Sequence, residues 1–142
     1  MNNFVQLSAV VLSLACFGFS NAELDIGSFN IQVFGRTKMA KPNVVEVLKK
    51  TLRRYDLALI MEIRDLSNTS IHELLDVINK RLHKKNRYEM VLSEPSGTSN
   101  IKEQYAFIYK PSKVKVLDSF NYKPEDHFER PPFVVKFKTS KS

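Results

Sequence analysis

Five consecutive apolar residues, Leu57-Ala58-Leu59-Ile60-Met61, run directly into a carboxylate, Glu62. A strand with no polar alternation must bury both faces, so it belongs inside a sheet that is covered on each side. The residues before it fit such a sheet. Leu24 to Ile31 reads as a first strand, with Leu24, Ile26 and Ser28 alternating against Asp25 and Gly27. Pro42 opens a helix in which Val44, Val45, Val47, Leu48, Leu52 and Tyr55 fall near helical spacing. Lys49, Lys50, Arg53 and Arg54 lie mostly outside that stripe. After the apolar run, Ser70 and Glu73 have capping-box spacing, and Ile71, Leu74, Leu75, Ile78 and Leu82 make a second helical stripe. Tyr88 to Ser93, Tyr105 to Lys110, Val114 to Phe120 and Phe133 to Phe137 read as strands, and Ser93 to Asn100 as a loop. Strand, helix, strand, helix and then several strands predict an α/β chain with an antiparallel or mixed sheet. At 142 residues it is one domain.

The chain carries 22 Lys+Arg against 15 Asp+Glu, a net charge of +7. That balance favours a polyanionic partner: nucleic acid, an anionic membrane surface or a sulfated sugar. The one Cys, Cys16, excludes a disulfide scaffold, and no Cys/His zinc spacing occurs. Residues 1–22 contain no charged side chain, and Phe4 to Phe19 is mostly apolar. Small residues at Ser20 and Ala22 complete the pattern of a secretory signal peptide. The expectation is a leader over 1–22, a folded domain over 23–142, an extracellular location and no membrane association after cleavage. Every acidic and basic residue lies after Ala22, so the exported domain keeps its charge of +7. In that compartment Asn68-Thr69-Ser70 is a glycosylation acceptor.

Candidate chemistry begins at Glu62, a carboxylate at the carboxyl end of an interior strand, where open α/β sheets place ligands. Arg64 stands two residues on, and the pair suits a hard metal beside a phosphate. The same carboxylate also reads as a strand simply ending in solvent. Asn30 ends the first strand in like manner, as a metal-site carbonyl or as a turn residue. Glu103, between Lys102 and Gln104, reads by itself as a solvated loop charge. His72, His83 and His127 show no ligand spacing and read as surface residues.

Four segments in order carry more information than these residues taken singly. They are Ser28-Phe29-Asn30-Ile31-Gln32-Val33-Phe34-Gly35 with Thr37-Lys38-Met39, and Tyr55 to Asp65 around Glu62. The third is Ser93-Glu94-Pro95 followed by Lys102 to Tyr109, and the fourth runs from Phe128 to Val135. Together they resemble the amino-terminal half of the deoxyribonuclease I family, within the endonuclease/exonuclease/phosphatase superfamily. The resemblance implies the first half of a four-layer α/β/β/α sandwich, with a mixed, mostly antiparallel sheet flanked by two helices. It implies a secreted DNA endonuclease dependent on Mg²⁺ and Ca²⁺, with DNA as partner. Asn30 and Glu62 would be metal-site residues, with Glu62 and Glu103 catalytic. Arg64 and Arg130 would face DNA, and Glu103 would fix the tautomer of a catalytic histidine.

Departures from the family pattern set further expectations. The family's Pro-Leu-His, Ser-Asp-His and Gly-Asp-Phe-Asn segments do not occur in these 142 residues. The 142 residues alone are therefore expected to be inactive. Thr98, Ser99 and Ile101 stand where relatives place groove-contacting Arg, Asn and Tyr. Two other readings remain open from sequence: a non-enzymatic secreted protein binding DNA or heparin, and a phosphodiesterase of the same superfamily acting on a lipid or inositol phosphate.

Overall fold

The computed structural model describes residues 23–97, 101–122 and 128–140. Residues 1–22, the expected leader with Cys16, the loop residues Thr98 and Ser99, and His127 lie outside the described residues. Strands β1 (Ile26–Phe34), β2 (Leu57–Ile63), β3 (Glu89–Leu92) and β4 (Gln104–Tyr109) form one sheet in the order β1-β2-β4-β3. β1 and β2 are parallel, whereas β2–β4 and β3–β4 are antiparallel, so the sheet is mixed and mostly antiparallel. β5 (Val114–Asn121) and β6 (Phe133–Thr139) pair as a separate two-stranded sheet.

Side-chain alternation sorts the apolar residues of β2 onto two surfaces. Ala58, Ile60 and Ile63 join one core with Leu48 and Leu52 of helix α2 (Pro42–Leu52) and Ile71, Leu74 and Ile78 of helix α3 (Thr69–Asn79). Leu57 joins a second, smaller cluster on the other face with Tyr109, Val114, Phe107, Val116 and Phe137. Phe137 meets the rings of Phe107 and Tyr109 edge-on at centroid distances of 5.6 and 5.7 Å. The β5–β6 pair thus covers part of the face opposite the helices. The interior-strand expectation for Leu57–Met61 holds, with Leu59 and Met61 only half-buried where that cover is incomplete.

Several local expectations change. β1 runs three residues past Ile31, because Phe34 is completely buried and draws the chain on. Ile26 is 64% exposed, on a strand paired along one side only. A short helix α1 (Arg36–Met39) precedes α2, whose Pro42 does occupy the first turn. The Ser70/Glu73 capping box is not formed. Asn68 is the N-cap of α3 in a left-handed conformation, and Ser70 lies inside the helix. Ser70 Oγ donates instead to Asp65 Oδ2 at 2.5 Å, because a buried carboxylate must be supplied with donors and this hydroxyl stands within reach.

Candidate active site at the carboxyl end of the central strands

β1 and β2 both break their ladders at the same level of the sheet, between Asn30 and Phe34 and between Ile60 and Ile63. Gln32, Val33 and Glu62 take left-handed backbone conformations there, with φ of 51°, 55° and 58°. A β-branched residue such as Val33 rarely adopts that region, and each such residue costs on the order of 1–3 kcal/mol. Something must hold them, and polar contacts do. Asn30 Nδ2 donates to Glu62 Oε1 at 2.7 Å, and the Val33 N–H donates to Glu62 Oε2 at 3.1 Å. The Gln32 N–H donates to Asn30 Oδ1 at 2.7 Å, and Lys38 Nζ donates to the carbonyls of Ile31 and Gln32. The twin bulges therefore aim Asn30 and Glu62 at one another.

Glu62 stays accessible to solvent. The amide of Asn30 and the Val33 N–H pull its carboxyl below the ordinary carboxylate range, and the Arg64 and Arg130 charges reinforce this against slight burial. It is a carboxylate at neutral pH, with a lone pair left on each oxygen beyond its hydrogen bonds.

Glu103 departs from the expectation of a solvated loop charge. It is 6% exposed, because Ser96 and Glu103 exchange backbone hydrogen bonds at 2.8 and 2.9 Å and fold the loop over it. Gly97 makes that return with φ of 132°, and a Cβ there would sit 3.0 Å from the Ile101 carbonyl oxygen. A buried carboxylate needs charge partners. Arg64 donates Nε to Glu103 Oε1 at 2.8 Å, with a second guanidinium nitrogen 2.6 Å away. Arg130 Nε lies 2.9 Å from Oε2, off the hydrogen-bond axis, as an ion pair. Glu103 thus gathers both arginines, and their fields reach Glu62. Asn30, Glu62, Arg64, Glu103 and Arg130 share one end of the sheet.

Other residues stay apart. His72 is exposed on α3, and His83 accepts from the Lys85 N–H at 3.4 Å in a connector. No described histidine is recorded in contact with Glu103. Asn68, the acceptor asparagine, is half-buried.

Sequence reasoning missed two features. One is a cationic groove of about 480 Å³ beside the bulges, to which Arg36, Lys38, Lys41 and Arg64 contribute. The basic residues from Arg36 to Lys41, just after a predicted strand end, were the available signal. The other is Asp65, which accepts from the N–H and hydroxyl of both Ser67 and Ser70. Burial alone raises its carboxyl, but these four donors outweigh it and bring it down to about 2. Asp65 anchors the start of α3 directly behind Arg64.

The donor chemistry suits a hard divalent cation. Glu62 and Asn30 offer carboxylate and amide oxygens, and no group of three or more His, Cys, Asp or Glu gathers among the described residues. Two protein oxygens with water completing the shell is a mode Mg²⁺ favours, whereas Ca²⁺ takes 6–8 oxygens and would need more from outside this pair.

This mixed sheet with its helices is the fold of the endonuclease/exonuclease/phosphatase proteins. A family member of that description from Bacteroides thetaiotaomicron superposes with a TM-score of 0.50 at 12% identity, covering 82% of this chain and 44% of its own. No family model matches the chain. Sequence relatives are more specific. Deoxyribonuclease-1 of Rattus norvegicus is 39% identical over 140 residues, covering 94% of this chain and 49% of its own length. Human deoxyribonuclease-1 is 37% identical over 139 residues, and that of Ovis aries 42% over 120. By sequence, then, the chain is similar to deoxyribonuclease-1 along nearly all of its own length, and its fold is that of the endonuclease/exonuclease/phosphatase proteins. It spans about half the length of the curated relatives it matches.

Proposed function

We propose that this chain is part of a secreted, divalent-metal-dependent deoxyribonuclease, hydrolysing phosphodiester bonds in DNA. The observation that carries this reading is the Asn30–Glu62 contact on twin strained bulges, beside a cationic groove. In this reading Glu62 and Asn30 hold Mg²⁺, with Ca²⁺ as a second ion used by the protein. The metal supplies Lewis-acid stabilisation of charge on phosphoryl oxygens. Arg64 and Arg130 present the guanidinium N–H groups not turned toward Glu103 to the DNA backbone. Glu103 fixes both arginines and stands ready to orient a histidine base. The cations of the groove, Arg36, Lys38 and Lys41, extend the phosphate track. Secretion follows from the apolar leader, and Asn68 carries a glycan in the same reading.

Two assays test this reading. The chain binds duplex DNA with an affinity that falls steeply with salt, and Arg64→Ala weakens it at every sequence alike, since phosphate contacts carry no base information. Affinity indifferent to salt overturns a phosphate-contact mode. In a supercoiled-plasmid assay with Mg²⁺ and Ca²⁺ the chain by itself leaves the plasmid intact, since neither described histidine, His72 or His83, stands at the site to act as acid or base. Nicking that Glu62→Ala abolishes would show that these residues carry the chemistry unaided. Binding to phosphoinositide vesicles in preference to DNA would favour a lipid-directed phosphodiesterase.

A further inference from the structure

The end of the sheet away from Glu62 carries a second concentration of charge. The connector between α3 and β3, residues 80–87, holds Lys80, Arg81, Lys84, Lys85 and Arg87 and no acidic residue. All five are exposed, and none takes part in an ion pair among the described residues. Repulsion among five cations should drive such a segment apart. It is instead built as a closed loop. Asn79 Oδ1 accepts from the Tyr88 N–H at 2.7 Å, and Asn79 Nδ2 donates to the Tyr88 carbonyl at 2.9 Å, which locks its two ends together. Arg53 donates to the carbonyls of Ile78 and Lys80 and holds the exit from the helix. Leu82 packs against the core, and His83 caps the 3₁₀ turn Lys84–Asn86. Compact loops of this length with pinned ends are often functional.

The loop forms one wall of an open groove of about 800 Å³, with Lys84, Lys85, Arg87, Tyr88 and Pro111 among its lining. Glu89 is the acid at this groove, and it accepts from Tyr109. Lys110 and Lys113 nearby are already committed to Asp56, at 2.8 and 3.7 Å, so the loop cations supply the free charge.

We propose that this loop and groove form a binding site for a linear sulfated polysaccharide of the heparin class, separate from the Asn30–Glu62 end. Position and shape favour that ligand. Glu89 pairs with Tyr109, and Tyr109 with Leu57, which sets the loop at the start of β2, whereas Glu62 is at its end. Five residues of strand separate the two levels by roughly 16 Å. The groove and the Asn30–Glu62 contact therefore lie at opposite ends of β2 and share no residue. A groove walled by lysines suits a single flexible chain of permanently charged sulfates, which needs neither metal nor base stacking.

The test is fluorescence anisotropy of a labelled heparin oligosaccharide with the full chain at physiological salt. The variants are K84Q/K85Q/R87Q and a charge-matched control on the β5–β6 pair, K115Q/K136Q/K138Q. The loop variant weakens heparin binding about tenfold or more while the control stays within about threefold, and both weaken duplex DNA alike. All six side chains are exposed, so thermal melting stays unchanged, and K80Q/R81Q gives an independent reading of the same loop. Equal losses from both triple variants mean diffuse attraction and overturn the site. So does a loop variant that loses duplex DNA or phosphatidylserine vesicles more than heparin. Failure of DNA binding or metal binding at Glu62 leaves this outcome untouched, since the two sites share no residue.

Discussion

The amide of Asn30 and the carboxylate of Glu62, 32 residues apart in sequence, meet at 2.7 Å across β1 and β2. They do so only because both strands bulge at the same level and three non-glycine residues accept left-handed backbone. Strain of that kind persists where surrounding contacts over-determine it, and it concentrates at functional sites.

Glu62→Gln preserves the shape and most of the hydrogen bonding but removes the charge. Mg²⁺ affinity, followed by calorimetry or by NMR shifts of Asn30 and Val33, is expected to fall about tenfold or more. Unchanged affinity would place the ion elsewhere. Asn30→Ala should act in the same direction and also loosen the Gln32–Val33 bulge.

Glu103→Gln leaves Arg64 and Arg130 facing one another without the carboxylate between them. Both arginines are partly exposed, with side chains 29% and 31% accessible, so water takes up some of the loss. The cost in urea unfolding should be about 2 kcal/mol, below the 3–5 of a fully buried pair. Pairing it with Arg64→Ala in a double-mutant cycle should return a coupling of about 1–2 kcal/mol. A coupling near zero would mean that Glu103 does not hold Arg64.

Acid should act through Asp65. Its folded-state value of about 2 lies below the unfolded one near 3.9, so the unfolded chain takes up the proton first. The stability that Asp65 contributes is present above pH about 4 and is lost as the pH falls toward 2. Asp56 and Glu62 shift in the same direction and add to the loss. Urea midpoints between pH 7 and pH 2 should fall below pH about 4. Asp65→Asn should lower the unfolding free energy at neutral pH by about 2 kcal/mol and flatten the acid slope. An unaltered slope would remove Asp65 from the account.

Passage through a secretory pathway should leave a glycan on Asn68, seen as an endoglycosidase-sensitive shift that Asn68→Gln abolishes. The sequon must be modified before folding is complete, because Ser70 is 1% exposed and bonded to Asp65 once α3 forms. Absence of the shift in the secreted wild-type chain would show that folding outruns modification.

Local sequence determined most of the architecture. The unbroken apolar run Leu57–Met61 required an interior strand, and helical spacing placed Leu48, Leu52, Ile71, Leu74 and Ile78 on one core. These are short-range patterns, set by periods of two and 3.6 residues, and they survive in any context that buries them. The positions of Glu62, Arg64 and Glu103 at or next to strand ends were legible for the same reason, whereas Asn30, expected at a strand end, lies inside β1 where the ladder bulges. Tertiary structure decided what those positions mean. Burial turned Glu103 from a loop charge into the anchor of two arginines, because the Ser96 return folds over it and a covered carboxylate must be paired. The same logic drew Ser70 away from a cap to Asp65. The left-handed turns at Gln32, Val33 and Glu62 leave no signature in residue type, since they arise from two bulged strands constraining each other across the sheet.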